Sequence, residues 1–377
     1  MTVLTRNDII EKALSLGFAD AGFTTAEPFG GQREYLRVHQ DEYGWMERGA
    51  PGLLAGTDPR VFMAPAKTII VLLEPYFREA FPPLLECHFG RCYLDDDRVT
   101  KDGLALRIRA FRNFLRDGGI DSRVPFLLPH RASALRAGMG TLGKNGLFYS
   151  GRAAGKSSWV LPLTFVVDHE FEPDSPSGGM GCPEWCRSAC VAACPTKALR
   201  GDGTIDPRKC ISFMTWHGKE ITPKKLREPM GLYVYGCDRC QNVCPRNLPW
   251  LSRGRPANLR VEAKAADFDL RVLLHMDAAY FQGRVQPHMF YLSAGNLWKW
   301  KMNVARAMGN SLDDAYVPDL VRAFEENDDG RVRGMIAWSL GRIGGAGAKA
   351  ALEKFLGGSE GDLRGEIEAA LAENRGG

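Results

Sequence analysis

The sequence predicts an α+β protein in three parts: an N-terminal α/β domain over residues 1–170, a cysteine-rich segment over 171–250 and a helical repeat domain over 251–377. Three observations carry this prediction. Before residue 170, short β-rich runs alternate with amphipathic helical stretches. Eight of the ten cysteines then fall within residues 182–244, in two runs that each end directly before a proline. Finally, an Ala-x3-Gly frame (Ala305 with Gly309, Ala337 with Gly341) recurs 32 residues apart, as in an α-solenoid of HEAT-like helix pairs that bury small residues against one another.

Residues 6–17 place Ile9, Ile10, Ala13, Leu14 and Leu16 at helical spacing and stop at Gly17. The run 68–74, TIIVLLE, reads as a buried strand, and 101–117 as a helix closed by Gly118 and Gly119. Residues 123–128 and 159–167 read as two further strands. Between them lies RAGMGTLGKNG, 136–146. Its Gly138, Gly140 and Gly143 satisfy G-x-G-x-x-G, but the preceding HRASALRA reads as a helix, whereas a dinucleotide fingerprint follows a strand. The same segment satisfies G-x-x-x-x-G-K, yet Asn145 stands where a P-loop needs a Ser or Thr hydroxyl for Mg²⁺. What survives is a loop in which Gly138, Gly140, Gly143, Lys144 and Asn145 approach a bound cofactor, the alternative being a tight turn with no ligand.

The cysteines point to metal. Cys182, Cys186, Cys190 and Cys194 are spaced by four and followed by Pro195; Cys210, Cys237, Cys240 and Cys244 follow, with Pro245 next. Two-cluster ferredoxins have this form: three nearby thiolates hold one cube, and the fourth, before proline, crosses to the other. The expected ligands are Cys182, Cys186, Cys190 and Cys244 for one [4Fe-4S] cluster, and Cys194, Cys210, Cys237 and Cys240 for the second. The first run is wider than the usual C-x2-C-x2-C-x3-C-P by one residue in each of its first two steps. A zinc reading would need two four-cysteine sites, and only Cys237 and Cys240 form a C-x2-C knuckle. Cys87 and Cys92 lie outside the pattern and read as ordinary thiols.

At 377 residues the chain has room for two or three cores. Residues 1–10 lack the apolar run of a secretory signal, and no stretch of about 18 apolar residues appears, so a cytoplasmic protein without membrane spans is expected. A net charge of +4 is too small to argue for nucleic acid. Its distribution says more: residues 251–310 carry nine basic against four acidic side chains, and 311–377 eight against thirteen. A polyanion-binding face including Arg253, Arg255, Lys299, Lys301 and Arg306 is one reading of that basic stretch, and solvated surface is the other.

RAGMGTLGKNG, CPTKAL (194–199), KCISFMT (209–215) and MGLYVYGCDRCQNVCPRN (230–247) together resemble the epoxyqueuosine reductase family, over nearly the whole chain. The resemblance implies an N-terminal domain of flavin-reductase-like and corrinoid-processing type, a ferredoxin-like insert with two [4Fe-4S] clusters, a bound cobalamin, and reduction of epoxyqueuosine to queuosine on tRNA. It also implies kinship with reductive dehalogenases. A low-potential electron donor of flavodoxin or ferredoxin type and a monomer are expected. No D-x-H-x-x-G run surrounds any of the seven histidines, so base-off cobalamin without a histidine ligand is expected. One departure stands out. The family carries its catalytic acid in a run like D-[ST]-A-P-V-L-E-R, and an ungapped alignment on RAGMG puts Val124 at the acid and His130 at the glutamate. The candidate proton donors are therefore Asp121 and His130. The alternatives are a related corrinoid and iron-sulfur reductase acting on a small molecule, or a non-catalytic electron-transfer or corrinoid-handling protein.

Overall fold

The computed structural model describes residues 4–46, 51–96, 98 and 103–373. Positions 1–3 of the opening stretch and 101–102 of the expected helix lie outside the described residues. The chain gathers into two compact units, and neither is contiguous in sequence. One comprises residues 1–78, 100–207 and 239–255; the other comprises 79–99, 208–238 and 256–377. The cysteine-rich segment 171–250 thus contributes its two ends to the first unit and its middle to the second.

In the first unit an antiparallel sheet runs in the order β1-β2-β6-β3, with β1 at Asp20–Thr25, β2 at Thr68–Glu74, β3 at Ser122–Arg123 and β6 at Leu161–Val167. Strand β2 reads as an unbroken apolar run because both of its faces are covered. On one face Ile70 and Leu72 pack with Leu163 and Phe165 under helix α1 (Arg6–Ser15) and helix α2 (Gly103–Asp117). On the other, Ile69, Val71 and Leu73 pack with Ala134 and Ala137 around helix α3, His130–Arg136. Thr5 and Asp8 cap α1 reciprocally, and Gly17 ends that turn at φ +85°. Arg107 of α2 grips Glu74 at the end of β2 through two 2.7 Å bonds.

Three local expectations are corrected. The strand expected over 123–128 is only the pair Ser122–Arg123, which faces Val167 and Val166. Its continuation holds Pro125 and runs into Pro129, and proline offers no N–H to the ladder. The strand expected from residue 159 starts at Leu161. The glycine-rich segment is a hairpin, β4 (Gly140–Leu142) pairing with β5 (Phe148–Ser150). Strand β1 has no β-rich run to announce it, yet it pairs along its full length with β2.

The second unit ends in layered helices: α4 (Leu297–Ser311), α5 (Val317–Glu326), α6 (Gly330–Ile343), α7 (Gly345–Leu356) and α8 (Gly361–Glu373). The repeated small residues are where these helices meet. A methyl group at Gly309 would lie 2.8 Å from Ser339, and one at Gly341 would lie 2.6 Å from the Ala370 carbonyl. Ser339 Oγ donates to the Ala305 carbonyl at 2.8 Å across the same seam. The basic face expected over 251–310 is corrected here. Lys299 and Arg306 are 1% and 0% exposed, and they donate to backbone carbonyls of Trp216, Gly231 and Tyr233. Their charge secures the segment 208–238 to α4 and leaves Arg253 as an exposed cation of that set. Among the described residues no helix is long and apolar enough to cross a membrane.

Candidate iron-sulfur and cofactor site

Four thiols converge within the first unit. Cys186, Cys190 and Cys244 are buried and Cys182 is half-buried. Burial raises the Cys190 pKa, and the nearby Cys244, Cys182 and Cys186 push it the same way. The widened C-x3-C spacing takes a definite form. A single 3₁₀ turn, Glu184–Cys186, is followed by Arg187 and Ser188 in left-handed conformation (φ 45° and 59°), and then by the short helix Ala189–Ala193 that carries Cys190. Two consecutive left-handed residues reverse the chain without glycine, so the extra residue is absorbed in a tight jog.

The sulfurs receive hydrogen bonds. The Lys144 backbone N–H donates to Cys182 Sγ at 3.2 Å, and the Tyr149 hydroxyl donates to Cys244 Sγ at 3.1 Å. Both donors sit on the glycine hairpin, so the hairpin and the first cysteine quartet form one structure. Among the described residues, no three cysteine, histidine or carboxylate side chains stand at the spacing of a single ion's ligands. Of the second quartet, Cys194 and Cys240 belong to the first unit, and Cys210 and Cys237 to the second. Cys194 Sγ accepts the Ala198 N–H at 3.3 Å.

The five hairpin residues expected to meet a cofactor have these surroundings. Gly138 adopts φ +64°, with its Cβ direction blocked by the Ser175 carbonyl at 2.4 Å. Gly140 and Gly143 leave room for Tyr149: a methyl group would fall 2.0 Å from its carbonyl at the first and 2.5 Å from its ring at the second. Lys144 Nζ donates to Ser188 Oγ at 3.0 Å, on the left-handed jog. Asn145 is buried and donates to the Tyr149 hydroxyl at 3.0 Å. Lys144 thus reaches the cysteine loop, while Gly140, Gly143 and Asn145 meet Tyr149 within the hairpin itself.

Asp121 and His130 are not brought together. Asp121 is exposed beside the end of β6, where its N–H donates to Asp168 Oδ1 at 3.0 Å. His130 opens α3, with Nδ1 2.9 Å from Thr164 Oγ1 and Nε2 3.2 Å from the Phe126 carbonyl. Thr164 lies within β6 and Asp168 just past its end. Val124 packs half-buried against the apolar layer beneath α1 and α2. Sequence reasoning missed Tyr149 and Arg246. The Arg246 guanidinium lies 4.3 Å from the Tyr149 ring centroid and donates to Thr141 Oγ1 and the Gly181 carbonyl at 3.0 Å each. Its position directly after Cys244-Pro245 was the available signal for Arg246; Tyr149 had none.

The cysteine spacing and the converging thiol quartet define an iron-sulfur protein with a helical-repeat tail. Residues 182–247 match the 4Fe-4S double cluster binding domain family, and residues 292–372 match HEAT repeats. The epoxyqueuosine reductase of Lactococcus garvieae (strain Lg2) is 31% identical over 339 residues, covering 86% of this chain and 91% of that protein. That of Bacillus subtilis (strain 168) is 27% identical over 367 residues, covering 93% and 91%. A solved epoxyqueuosine reductase carrying an epoxyqueuosine-modified tRNA-Tyr stem loop superposes with a TM-score of 0.80 at 26% identity, covering 98% of each chain. The B. subtilis enzyme, solved with its aspartate-bearing catalytic loop swung out of the active site, gives 0.77 at 26%, again over 98% of each. The chain belongs to the epoxyqueuosine reductase family.

Proposed function

We propose that this chain reduces epoxyqueuosine in tRNA to queuosine, removing the epoxide oxygen as water with two electrons and two protons. The observation that carries the proposal is the buried quartet Cys182, Cys186, Cys190 and Cys244, joined by hydrogen bonds to the glycine hairpin, in a chain of this family. These four would hold one [4Fe-4S] cluster, and the sequence pattern assigns Cys194, Cys210, Cys237 and Cys240 to the second. A bound corrinoid would supply a low-valent cobalt nucleophile, which needs electrons delivered singly at low potential. A flavodoxin- or ferredoxin-type protein is the proposed donor, and a cytoplasmic monomer the proposed working form. Of the two candidate proton donors we favour Asp121. Its side chain is exposed, whereas both ring nitrogens of His130 already face protein oxygens.

A second reading is favoured by Val124, whose side chain belongs to the apolar layer where the ungapped family pattern has an acid. On it the same cofactors serve a substrate that needs no acid there. Anaerobically reconstituted protein, loaded with corrinoid and given a strong reductant, should convert epoxyqueuosine-tRNA to queuosine-tRNA by nucleoside mass spectrometry. A fully loaded protein that leaves that tRNA unchanged excludes the first reading and favours the second.

A further inference from the structure

We propose that Tyr149 is a positioning residue that holds Cys244 and sets the reduction potential of the first cluster, with Asn145 and Arg246 fixing its phenol. The inference rests on the cysteine ligation proposed above. Cys244 is the one member of its quartet supplied from the far end of the cysteine-rich segment, so its sulfur depends on contacts made by other parts of the chain. The Tyr149 hydroxyl meets it at 3.1 Å, and the ring is 1% exposed.

The direction of that hydrogen bond is forced. Leu147 N–H donates to Asn145 Oδ1 at 3.2 Å, which fixes the amide so that Nδ2 points at the Tyr149 oxygen, 3.0 Å away. With its oxygen accepting from Asn145, the phenol turns its own hydrogen to sulfur. Arg246 adds a cation over the ring and is itself pinned by Thr141 and Gly181. Thr141 sits opposite Tyr149 in the hairpin, so one backbone register aligns phenol, guanidinium and thiol.

One-electron reduction makes the cluster and its sulfurs more negative. A donor aimed at a ligand sulfur stabilises that form and raises the potential, as hydrogen bonds to cluster sulfurs generally do. Glycine at 140 and 143 follows from the same arrangement, since a side chain at either would displace Tyr149.

The test is a redox titration monitored by electron paramagnetic resonance on the anaerobically reconstituted full chain, with iron analysis. Tyr149→Phe should keep about eight irons, and one of two midpoints should move to lower potential while the other stays. Arg246→Gln should move the same midpoint in the same direction by less. An iron-replete Tyr149→Phe with both midpoints unmoved overturns the inference alone. If Tyr149→Phe loses iron, Asn145→Leu decides: the inference requires it to lower that midpoint, and an unmoved value overturns it. Wild-type protein with no more than about four irons overturns the ligand assignment, and the inference with it.

Discussion

Exchanging His130 and Asp121 separates a structural role from a proton-donating one. His130→Ala removes the partner 2.9 Å from Thr164 Oγ1, and Thr164 is 0% exposed on the central strand β6. A buried hydroxyl left without its partner costs about 1–3 kcal/mol, so the urea midpoint of the first unit should fall. Turnover should stay near the wild-type rate, because a ring with Nδ1 at Thr164 and Nε2 at the Phe126 carbonyl has no nitrogen left to serve a substrate. Asp121→Asn should do the reverse. The Asp121 side chain is exposed, so the urea midpoint should hold, while turnover of epoxyqueuosine-tRNA should fall by at least about 100-fold, the lower end of general-acid contributions. Asp121 is tied to Asp168 beyond the end of β6 and His130 to Thr164 within it, so the two variants perturb different places. Single-turnover kinetics on protein with normal iron and corrinoid content gives the answer. A crippled His130→Ala beside a fully active Asp121→Asn would refute the assignment, and two fully active variants would place the acid elsewhere.

Other outcomes follow from named interactions. Reconstituted protein should hold about eight irons, and Cys186→Ala about four, by iron analysis; full retention would show that the widened first run is not a ligand set. Glu366→Gln should destabilise the second unit by about 3–5 kcal/mol in urea unfolding, because Glu366 neutralises Arg227, 1% exposed, through bonds of 2.7 and 2.8 Å. His288 has its pKa lowered from 6.5 to about 4, by burial first and by Lys264 second, against weaker opposing effects of Asp267 and Asp95. The unfolded chain therefore takes up that proton first, so stability should fall as pH drops from 6.5 towards 4, and His288→Gln should flatten the urea midpoint over that window. Arg253→Glu should flatten the salt dependence of tRNA binding, by roughly 0.7 to 0.9 in slope for each phosphate that the side chain neutralises, whereas Lys299→Glu should lower stability, since Lys299 is buried on the Trp216 carbonyl.

The legible features were those in which spacing alone encodes geometry. Cysteine intervals and the Ala-x3-Gly frame survive because a thiolate quartet and a close helix crossing each tolerate few residue types, and Gly309 against Ser339 shows how little room there is. Strand β2 was plain because both faces are buried; β1 was hidden because DAGFTT carries few large apolar residues, and its burial comes from the strand beside it. The over-long strand at 123–128 came from weighting valine, phenylalanine and leucine above the prolines that cut the ladder. Counting charges could not tell Arg253, which is exposed, from Arg306, which is inside, because burial of a guanidinium on carbonyls is a tertiary fact.

The segment RAGMGTLGKNG was the hardest to read because its glycines answer to a residue outside the motif. Phosphate loops use glycine so that backbone can approach a ligand; in this chain Gly140 and Gly143 make room for Tyr149. The loop's polar groups are then used against sulfur, through Lys144 N–H on Cys182 and Asn145 behind the phenol on Cys244. Cys182 and Cys244 are the first and last cysteines of the run, so this hairpin joins the two ends of a 63-residue segment. A substitution that disturbs the hairpin should therefore register first in the first cluster's occupancy and potential, before it registers in the fold of the sheet.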